Sequence, residues 1–400
     1  MRKAILISYQ DIDSGAKVVT EEILAYLRST NPSHPLIIHR QNPQRYSGAF
    51  SAVKNFSWSF LDCVRTMRRY SGQVTAIYTP YFLAALVATL LKKSSQRVIF
   101  HFHGDHAITR IPTRPSWLGK LKYAYIWLLG RTIAYLQFAA LRRSDKLIFV
   151  AREAYQQIVR KYHLNRVAHH VVIVPNGVSA QQYHPAVTLR ERKTLQALRK
   201  KLHISKNSMT LLYSGRIDEK KGIHHILHAM QLLTKDSPHI TYKLIIMHPS
   251  YRDKDSAEYI KILRNIIKNN RLEVIFISQP AHLAPYYQVA DVCLLPSEQE
   301  MMPLVMLEAL ACGTPFMGTR KGNVASVLAT IEKQLILKDN SPQTIANQIK
   351  WLSEQSPTRR TAIQQSCLTI AARYPWSTTA QKVLATILET AEQPVLLAHP

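Results

Sequence analysis

With 400 residues and a mass of 45.7 kDa, the chain is long enough for two domains of ordinary size. Its 46% of apolar and 19% of charged residues exclude a disordered or collagen-like chain, and its four scattered cysteines, which form no CxxC pair, argue against a disulfide scaffold or a structural zinc site. The 52 basic and 25 acidic residues give a net charge of +27, which attracts a polyanion: nucleic acid, an anionic membrane surface or a phosphorylated substrate.

The first half of the chain alternates short apolar runs with longer helix-like stretches, a pattern that predicts a parallel α/β sheet. The first run, AILIS, is too short for the core of a signal peptide, and we interpret it as a strand. No run of about 20 apolar residues is free of polar interruption, so no membrane-spanning helix is predicted. Six buried strands are predicted, at residues 4–8, 35–39, 74–78, 97–103, 146–151 and 170–174.

A second α/β series follows a strongly basic stretch near residues 180–206, which we interpret as a helix or a linker. Two doubly wound domains in tandem are therefore predicted, and such domains bind ligands between them, at the carboxyl ends of their strands. Functional residues are expected on the loops that follow the strands. The five strands predicted for the second series lie at residues 209–215, 242–247, 273–278, 291–297 and 314–319.

The turn YSGRIDEKKG leaves the first strand of the second series and enters a helix. Gly215 permits a tight turn, and Arg216 and Lys221 stand near a helix N-terminus, whose backbone amides already favour an anion. Two cations at such a place are typical of a diphosphate-binding site, because charge-assisted hydrogen bonds to phosphate are strong. The alternative is a solvated basic turn, since lysines are common at protein surfaces.

The loop after the strand at 291–297 carries a second set of polar residues, in SEQEMMPLVMLEALACG. Glu300 lies in the loop, and Glu308 lies two turns into a helix that is predicted from about Pro303. An acid near a helix N-terminus is ordinary, but an acid among leucines and methionines is expected to be partly buried. A buried carboxylate needs hydrogen-bond donors, and the hydroxyl groups of a ligand could supply them.

Together these motifs resemble the retaining glycosyltransferases of the GT-B fold, family four, over essentially the whole chain. The family's two glutamates, separated by seven residues and followed by an EA-ACG-P stretch, are matched from Glu300 to Pro315. The Gly–Arg turn with a lysine five residues on is the basic turn described above. A PNGV turn stands at residues 175–178, and the family's last helix opens at Trp376. The match is strongest over residues 208–320.

The resemblance implies an α/β fold of the GT-B type, in which two Rossmann-like domains face each other across a cleft. An N-terminal acceptor domain would span residues 1–190, with a C-terminal helix from about residue 377 to residue 400 packing back on it. A nucleotide-sugar-binding domain would span residues 191–376. The implied reaction is transfer of a hexose or related sugar with retention of configuration. We expect a UDP-sugar donor and no metal or other cofactor, because the family's arginine and lysine neutralise the leaving diphosphate.

Position by position, the resemblance assigns roles to eight residues of this sequence. The expected catalytic residues are His103 and Glu300, and each is expected to face the donor sugar. The six expected donor-binding residues are Gly15, which approaches the diphosphate; Arg216 and Lys221, which hold the diphosphate; Leu304 and Val305, whose backbone amides face the sugar or phosphate; and Glu308, which accepts hydrogen bonds from the ribose.

Several positions depart from the family pattern and leave the donor base and sugar open. Met301 replaces the usual glycine after the first glutamate, and Ala151 replaces a common serine. A glycine-rich turn is absent at residues 247–255, and a GG-xx-E pattern is replaced within residues 320–326. The diphosphate residues and the paired glutamates are intact, so we expect an active enzyme. The alternative is a GT-B scaffold that has lost catalysis and serves as a partner protein.

The basic excess lies mainly in the first half of the chain. Residues 1–190 contain 26 basic and 8 acidic side chains, net +18, whereas residues 191–400 contain 26 and 17, net +9. We therefore expect an anionic or lipid-linked acceptor, such as a cell-envelope glycan or glycolipid of lipopolysaccharide or capsule synthesis. The aromatic and basic stretch at 110–146 indicates either a long buried helix or contact with an anionic membrane surface. We expect a cytoplasmic protein, peripheral on the inner face of the membrane.

Two further hypotheses are less favoured by the sequence. The segment HFHGDH at residues 101–106 could bind a metal ion, but polar residues at a strand end more often line a cleft without one, and no metal ligand is predicted. The net charge also suits a nucleic-acid-binding protein. No recognised nucleic-acid motif is present and the basic residues are dispersed, so no nucleic-acid partner is expected.

Overall fold

The computed structural model describes residues 4–10, 14–30, 35–41, 51–104, 117–162, 170–205, 207–249, 254–278 and 280–392. The chain divides into two compact units. Unit 1 comprises Met1–Pro175 and Ser377–Pro400, and unit 2 comprises Asn176–Trp376. The division at 175/176 lies upstream of the sequence-based boundary at 190/191, because the turn that starts at Asn176 bonds to residues of unit 2.

Unit 1 contains a parallel sheet of six strands: β1 (Ala4–Gln10), β2 (Leu36–Gln41), β3 (Val74–Thr79), β4 (Arg97–Phe102), β5 (Lys146–Phe149) and β6 (Val171–Ile173). Their order across the sheet is β2-β1-β3-β4-β5-β6. The strand order therefore reverses beside β1, at the kind of switch point where α/β sheets bind ligands. The helices between the strands are α1 (Gly15–Ser29), α2 (Ser51–Tyr70), α3 (Phe82–Leu91), α4 (Trp117–Arg143) and α5 (Arg152–Tyr162).

Burial explains why these short apolar runs form strands. Leu6 in β1, Ile77 in β3 and Ile99 in β4 are at most 1% exposed, as expected for a parallel sheet that is covered on both faces. Helix α1 begins where the Ser14 side chain accepts a hydrogen bond from Lys17 N at 3.3 Å, which satisfies one amide of the first turn.

Unit 2 contains a second parallel sheet: β7 (Ser208–Ser214), β8 (Thr241–His248), β9 (Glu273–Ser278), β10 (Val292–Leu295), β11 (Phe316–Thr319) and β12 (Ile336–Leu337). Their order across the sheet is β12-β11-β10-β7-β8-β9, so the switch point lies between β7 and β10. The helices of this part of the chain are α6 (Leu189–Lys201), α7 (Ile223–Asp236), α8 (Lys254–Asn270), α9 (Ala284–Val289), α10 (Leu304–Ala311), α11 (Val324–Leu328), α12 (Pro342–Ser353) and α13 (Pro357–Ala371).

The last described helix, α14 (Trp376–Glu392), belongs to unit 1 from Ser377 onward. Thr379 Oγ1 donates to Pro175 O at 2.9 Å, which ties the start of this helix to the end of the first long segment of unit 1. Val383 and Ile387 are fully buried, so one face of the helix contributes to the core. The described part of this helix is thus an integral part of unit 1, and residues 393–400 of the expected C-terminal helix lie outside the described residues.

The predicted α/β class with two Rossmann-like domains is confirmed, and all eleven predicted strands are present. Strand β12 was not predicted, because its two residues are too few to show a hydrophobic pattern. The basic stretch near 180–206 contains α6, a helix without a buried residue. Within the described ranges, no helix combines the length and the apolar character that crossing a membrane requires.

Candidate active site

The turn after β7 carries the first group of expected donor-binding residues. Gly215 N donates to Met247 O at 3.0 Å, which ties this turn to the end of β8. The buried hydroxyl of Tyr213 donates to Arg216 O at 2.5 Å, so a group inside the unit fixes the backbone that carries Arg216. The Arg216 side chain itself is exposed, and its guanidinium is therefore accessible to a ligand.

Gly222 brings this turn against the loop that follows β10. It lies between Lys221 and α7, in the left-handed region at φ +74°. A Cβ at Gly222 would lie 2.5 Å from Pro296 O, so a larger residue would clash with the backbone of the second loop. The backbone amide of Glu298 donates to Lys220 O at 2.9 Å and joins the same two loops. The two segments that the sequence singled out therefore meet.

Lys221 and Glu300 form an ion pair between these loops, with Nζ 2.6 Å from Oε1. Their side chains are 22% and 11% exposed, so the pair is shielded from most of the solvent. The buried Tyr213 hydroxyl is affected by charges of both loops. Burial raises the pKa of Tyr213 well above its ordinary value, the charge of Glu300 raises it further, and the charge of Arg216 lowers it. Arg216, Lys221 and Glu300 thus lie around one point of unit 2. An anionic ligand bound there would compete with Glu300 for the Lys221 ammonium group.

Glu308 lies in α10 and is half-buried. Tyr287 Oη donates to Glu308 Oε2 at 2.6 Å, and the hydroxyl of Tyr183 also bonds to this carboxylate. Burial raises the pKa of Glu308 above its ordinary value, and the two hydrogen bonds oppose that shift. The donors that a buried carboxylate needs are therefore partly supplied by the protein. A carboxylate accepts about four hydrogen bonds, so capacity remains for ligand hydroxyls.

Helix α10 begins without a side-chain cap, because its N-cap residue is Pro303. The amides of Leu304 and Val305 stand at the start of the helix, where no intrahelical acceptor exists for them. Both residues are half-buried. The positive end of the helix dipole and these two amides favour an anionic or polar ligand atom at this place, as the family resemblance implies.

The PNGV turn at residues 175–178 supports the loop before α10. Asn176 Nδ2 donates to Met302 O at 2.8 Å, and Asn176 N donates to Met302 Sδ at 3.2 Å. Asn176 is only 5% exposed, so these bonds are shielded from water. Val178 N donates to Tyr374 O at 2.8 Å, which joins the turn to the residues before α14. The motif therefore has a packing role within unit 2.

Met301, which departs from the family pattern, packs against the segment that stands where the family has GG-xx-E. Gly322 lies in the left-handed region at φ +54°, and a Cβ there would lie 1.9 Å from Met301 O. Asn323 N donates to the same carbonyl at 2.9 Å. Met301 and the segment at residues 321–323 thus form one packed cluster directly after Glu300, and they are structurally coupled.

The remaining expected site residues, Gly15 and His103, belong to unit 1. Gly15 is exposed and is the first residue of α1. His103 directly follows β4, and its ring packs against that of His101 with the centroids 4.0 Å apart. Both residues follow a strand at its carboxyl end, which is where ligands bind in open α/β sheets.

Only the first four residues of HFHGDH, 101–104, are among the described residues. Asp105 and His106 lie outside the described residues. In the part of the chain that the structure describes, no three His, Cys, Asp or Glu side chains are placed to hold a metal ion. The histidines of α7 also have other contacts: His224 Nδ1 lies 2.7 Å from Tyr259 Oη.

Sequence reasoning missed two residues that shape this site, Tyr287 and Gly222. Tyr287 comes from α9 and stands at no fixed spacing from Glu308, so its contact arises only from the fold. Gly222 follows Lys221 directly in the sequence. With only 12 glycines in 400 residues, a glycine at a strand-to-helix turn was an available signal.

Two family models match the chain. Residues 195–367 match "Glycosyl transferases group 1", and residues 18–182 match "Glycosyltransferase Family 4". The second model lies within unit 1 apart from its last residues, and the first lies within unit 2. The matched segments include every expected site residue except Gly15.

The chain is similar to curated bacterial enzymes at low identity. It is 25% identical over 257 residues, 64% of its length, to D-inositol 3-phosphate glycosyltransferase of Corynebacterium diphtheriae. It is 28% identical over 233 residues, 56% of its length, to lipopolysaccharide 1,2-N-acetylglucosaminetransferase of Salmonella typhimurium. The match spans 58% of the length of each of these two relatives.

Among solved structures, the chain resembles that of Anabaena HepE in complex with UDP-glucose. The TM-score is 0.70 at 18% identity, and the match covers 96% of this chain and 99% of the other. At this identity the likeness concerns the fold alone. It agrees with the two parallel sheets described above and with the fold class that the sequence predicts.

Proposed function

The chain belongs to the glycosyltransferases that the group 1 and family 4 models describe, and on this premise we propose that it transfers a sugar from a nucleotide-sugar donor to a cell-envelope glycan or glycolipid with retention of configuration. The observation that carries the proposal is the ion pair of Lys221 and Glu300. It joins two strand-exit loops beside the uncapped start of α10, and such a place suits a diphosphate next to a sugar.

In the proposed reaction, the bond between the anomeric carbon and the diphosphate oxygen breaks, and an acceptor oxygen bonds to the same face of that carbon. The acceptor proton passes to the departing diphosphate, so no protein nucleophile is required. Arg216, Lys221 and the amides of Leu304 and Val305 stabilise the charge that develops on the leaving group. Glu308 accepts hydrogen bonds from the ribose.

We propose that a donor phosphate displaces the Glu300 carboxylate from Lys221, and that Glu300 then orients the donor sugar. The roles of His103, as a sugar-facing residue, and of Gly15, near the diphosphate, rest on the family resemblance alone. The donor is proposed to be a UDP-sugar, which the UDP-glucose bound by HepE supports. No metal ion is proposed to take part, because the two cations already neutralise the diphosphate.

The reaction can be tested without knowing the acceptor, because water can replace it slowly. The purified chain is incubated with UDP-glucose and other nucleotide sugars, and proton NMR follows the anomeric signal of the released sugar. We expect one donor to release sugar first as the donor's own anomer, at the same rate with and without EDTA. First release of the opposite anomer would contradict retention, and loss of activity in EDTA would contradict the metal-free reaction.

The proposed acceptor is anionic or lipid-linked, and the charge distribution supports this choice. The net charge of +18 on residues 1–190 favours an anionic partner. The name of the Salmonella relative points to lipopolysaccharide. We propose a cytoplasmic protein that is peripheral on the inner face of the membrane.

A surface on α2, α3 and α4 supports membrane contact. Of the ten large apolar side chains that are exposed among the described residues, six lie on these three helices: Phe60, Leu61, Leu90, Leu91, Leu128 and Tyr135. The sequence of the same helices contains nine basic residues and one acid, Asp62. Apolar side chains among cations suit a bilayer surface with anionic lipids.

Membrane contact predicts that the chain pellets with vesicles that contain phosphatidylglycerol and not with neutral vesicles. Changing Arg68 and Arg69 to glutamate should weaken binding about 10²- to 10³-fold, since each change shifts the surface charge by two units and each unit contributes ~1 kcal/mol. The matched control changes Arg192 and Lys193 of α6, an exposed basic helix in unit 2, to glutamate. Equal losses of vesicle binding in both variants would contradict membrane contact through this surface. Binding that does not depend on lipid charge and salt would contradict it as well.

Two other functions would give different results. A scaffold that has lost catalysis would bind a nucleotide sugar but neither hydrolyse nor transfer it. A nucleic-acid-binding protein would shift random DNA in a salt-dependent manner and bind no nucleotide sugar. We expect neither result.

A further inference from the structure

A polar pair of aromatic side chains is buried in the core of unit 1. Tyr78 at the end of β3 and His101 in β4 are both 0% exposed. Tyr78 Oη lies 2.6 Å from His101 Nδ1, and His101 Nε2 has no hydrogen-bond partner among the described residues. Two well-packed apolar side chains would avoid the cost of burying such groups. Stability alone therefore gives no reason for this pair.

The pair stands directly behind His103. Alternate residues of a strand point to one face, so His101 and His103 share a side of β4. Their ring centroids are 4.0 Å apart and the rings are inclined by 38°, whereas the ring of Tyr78 meets that of His101 edge-on at 5.8 Å. The three rings form a row that runs from the interior of the sheet to its carboxyl edge.

The two inner groups of this row are neutral at ordinary pH. Burial raises the pKa of Tyr78, which keeps its hydroxyl protonated. Burial, and then the neighbouring His103, lower the pKa of His101 well below its ordinary value. His103 therefore packs on an uncharged imidazole whose orientation the Tyr78 hydroxyl fixes. Only Phe102 separates the two histidines in sequence, and β4 ends at that residue.

We propose that Tyr78 and His101 are positioning residues, which fix the side-chain orientation of His103. This inference rests on the proposed function, in which His103 faces the donor sugar. A misplaced group at a reacting centre can cost about 100-fold in rate even when the displacement is only ~1 Å, so a rigid support for His103 would raise turnover rather than donor affinity.

The test uses Tyr78→Phe, which removes one hydroxyl from the full chain. We expect kcat for sugar release to fall about 10- to 100-fold with the donor KM unchanged. The ring signals of His103, assigned with His103→Gln in histidine-labelled protein, should shift or broaden. His101→Asn retains a group that can bond the Tyr78 hydroxyl but removes the ring, and it should lower kcat similarly.

The matched control is Tyr9→Phe. Tyr9 lies in β1 of the same sheet, is 1% exposed, and its hydroxyl accepts a hydrogen bond from Arg40 Nε at 2.9 Å. This variant also removes the hydrogen-bonded hydroxyl of a buried tyrosine, although its partner Arg40 is exposed, and it should leave both kcat and the His103 signals unchanged. The proposal is overturned if Tyr78→Phe leaves either of them unchanged, or if the control changes both. Absence of sugar release by the wild type would instead count against the proposed function, and the NMR comparison would still test the positioning.

Discussion

Replacing Arg216 by alanine should lower the turnover of sugar transfer by about 10²- to 10³-fold, the loss typical of removing one electrostatic donor at a developing charge. The Arg216 backbone is already fixed by Tyr213, so the substitution should remove the exposed guanidinium and leave the turn in place. Lys221 remains beside Glu300, which explains why activity should fall strongly rather than disappear. Steady-state rates of sugar release measure the effect.

Arg264→Ala is the matched control for this substitution. Arg264 is also an exposed arginine of unit 2, but it lies on α8, away from the strand-exit loops. It should keep wild-type turnover, because general loss of one positive charge is screened by salt. Equal activities of Arg216→Ala and Arg264→Ala would show that the diphosphate lies elsewhere.

The largest expected effect on stability comes from Gly322→Ala. The new Cβ would lie 1.9 Å from Met301 O, and the backbone would have to hold an alanine at φ +54°. The left-handed conformation and the overpacking together cost about 3 kcal/mol. Calorimetry should show a melting temperature that is lower by about 6–12 °C for a unit of this size.

The same substitution should lower activity, because Met301 directly follows Glu300 and would have to move. Gly72→Ala serves as the control: a Cβ there meets nothing within 4 Å, and its φ is not in the left-handed region. We expect Gly72→Ala to melt within a degree or two of the wild type, because substitutions at the surface usually change stability very little. A Gly322→Ala protein of wild-type stability would mean that the Met301 loop lies elsewhere.

The strands and the loops that carry polar residues could be predicted from the sequence, because each strand is a compact apolar run and the site follows strand ends. Glu308 shows how far such reasoning extends. Its burial was predictable from its leucine and methionine neighbours, and so was its need for donors. That Tyr287 and Tyr183 supply them was not predictable, because those residues come from a different helix and from the turn after the PNGV motif.

Contacts between residues that are far apart in the sequence could not be predicted either. The ion pair of Lys221 and Glu300 joins residues 79 positions apart, and it depends on the close approach of Gly222 to Pro296. The row from Tyr78 to His103 depends on the register of β3 against β4. Departures from the family pattern, at Met301 and Asn323, could be named from the sequence, but only the hydrogen bond between them shows that they belong together.

The most direct test of the account is nucleotide binding by the wild type and by Arg216→Ala. Melting curves would be recorded with UDP, GDP, ADP, CMP, dTDP and their sugars. A ligand at about 100 times its Kd adds ~2.7 kcal/mol, which is enough to raise the melting temperature by several degrees. We predict that one base, uracil, stabilises the wild type and that the effect is much smaller in Arg216→Ala. No shift with any nucleotide would contradict a nucleotide-sugar site in unit 2.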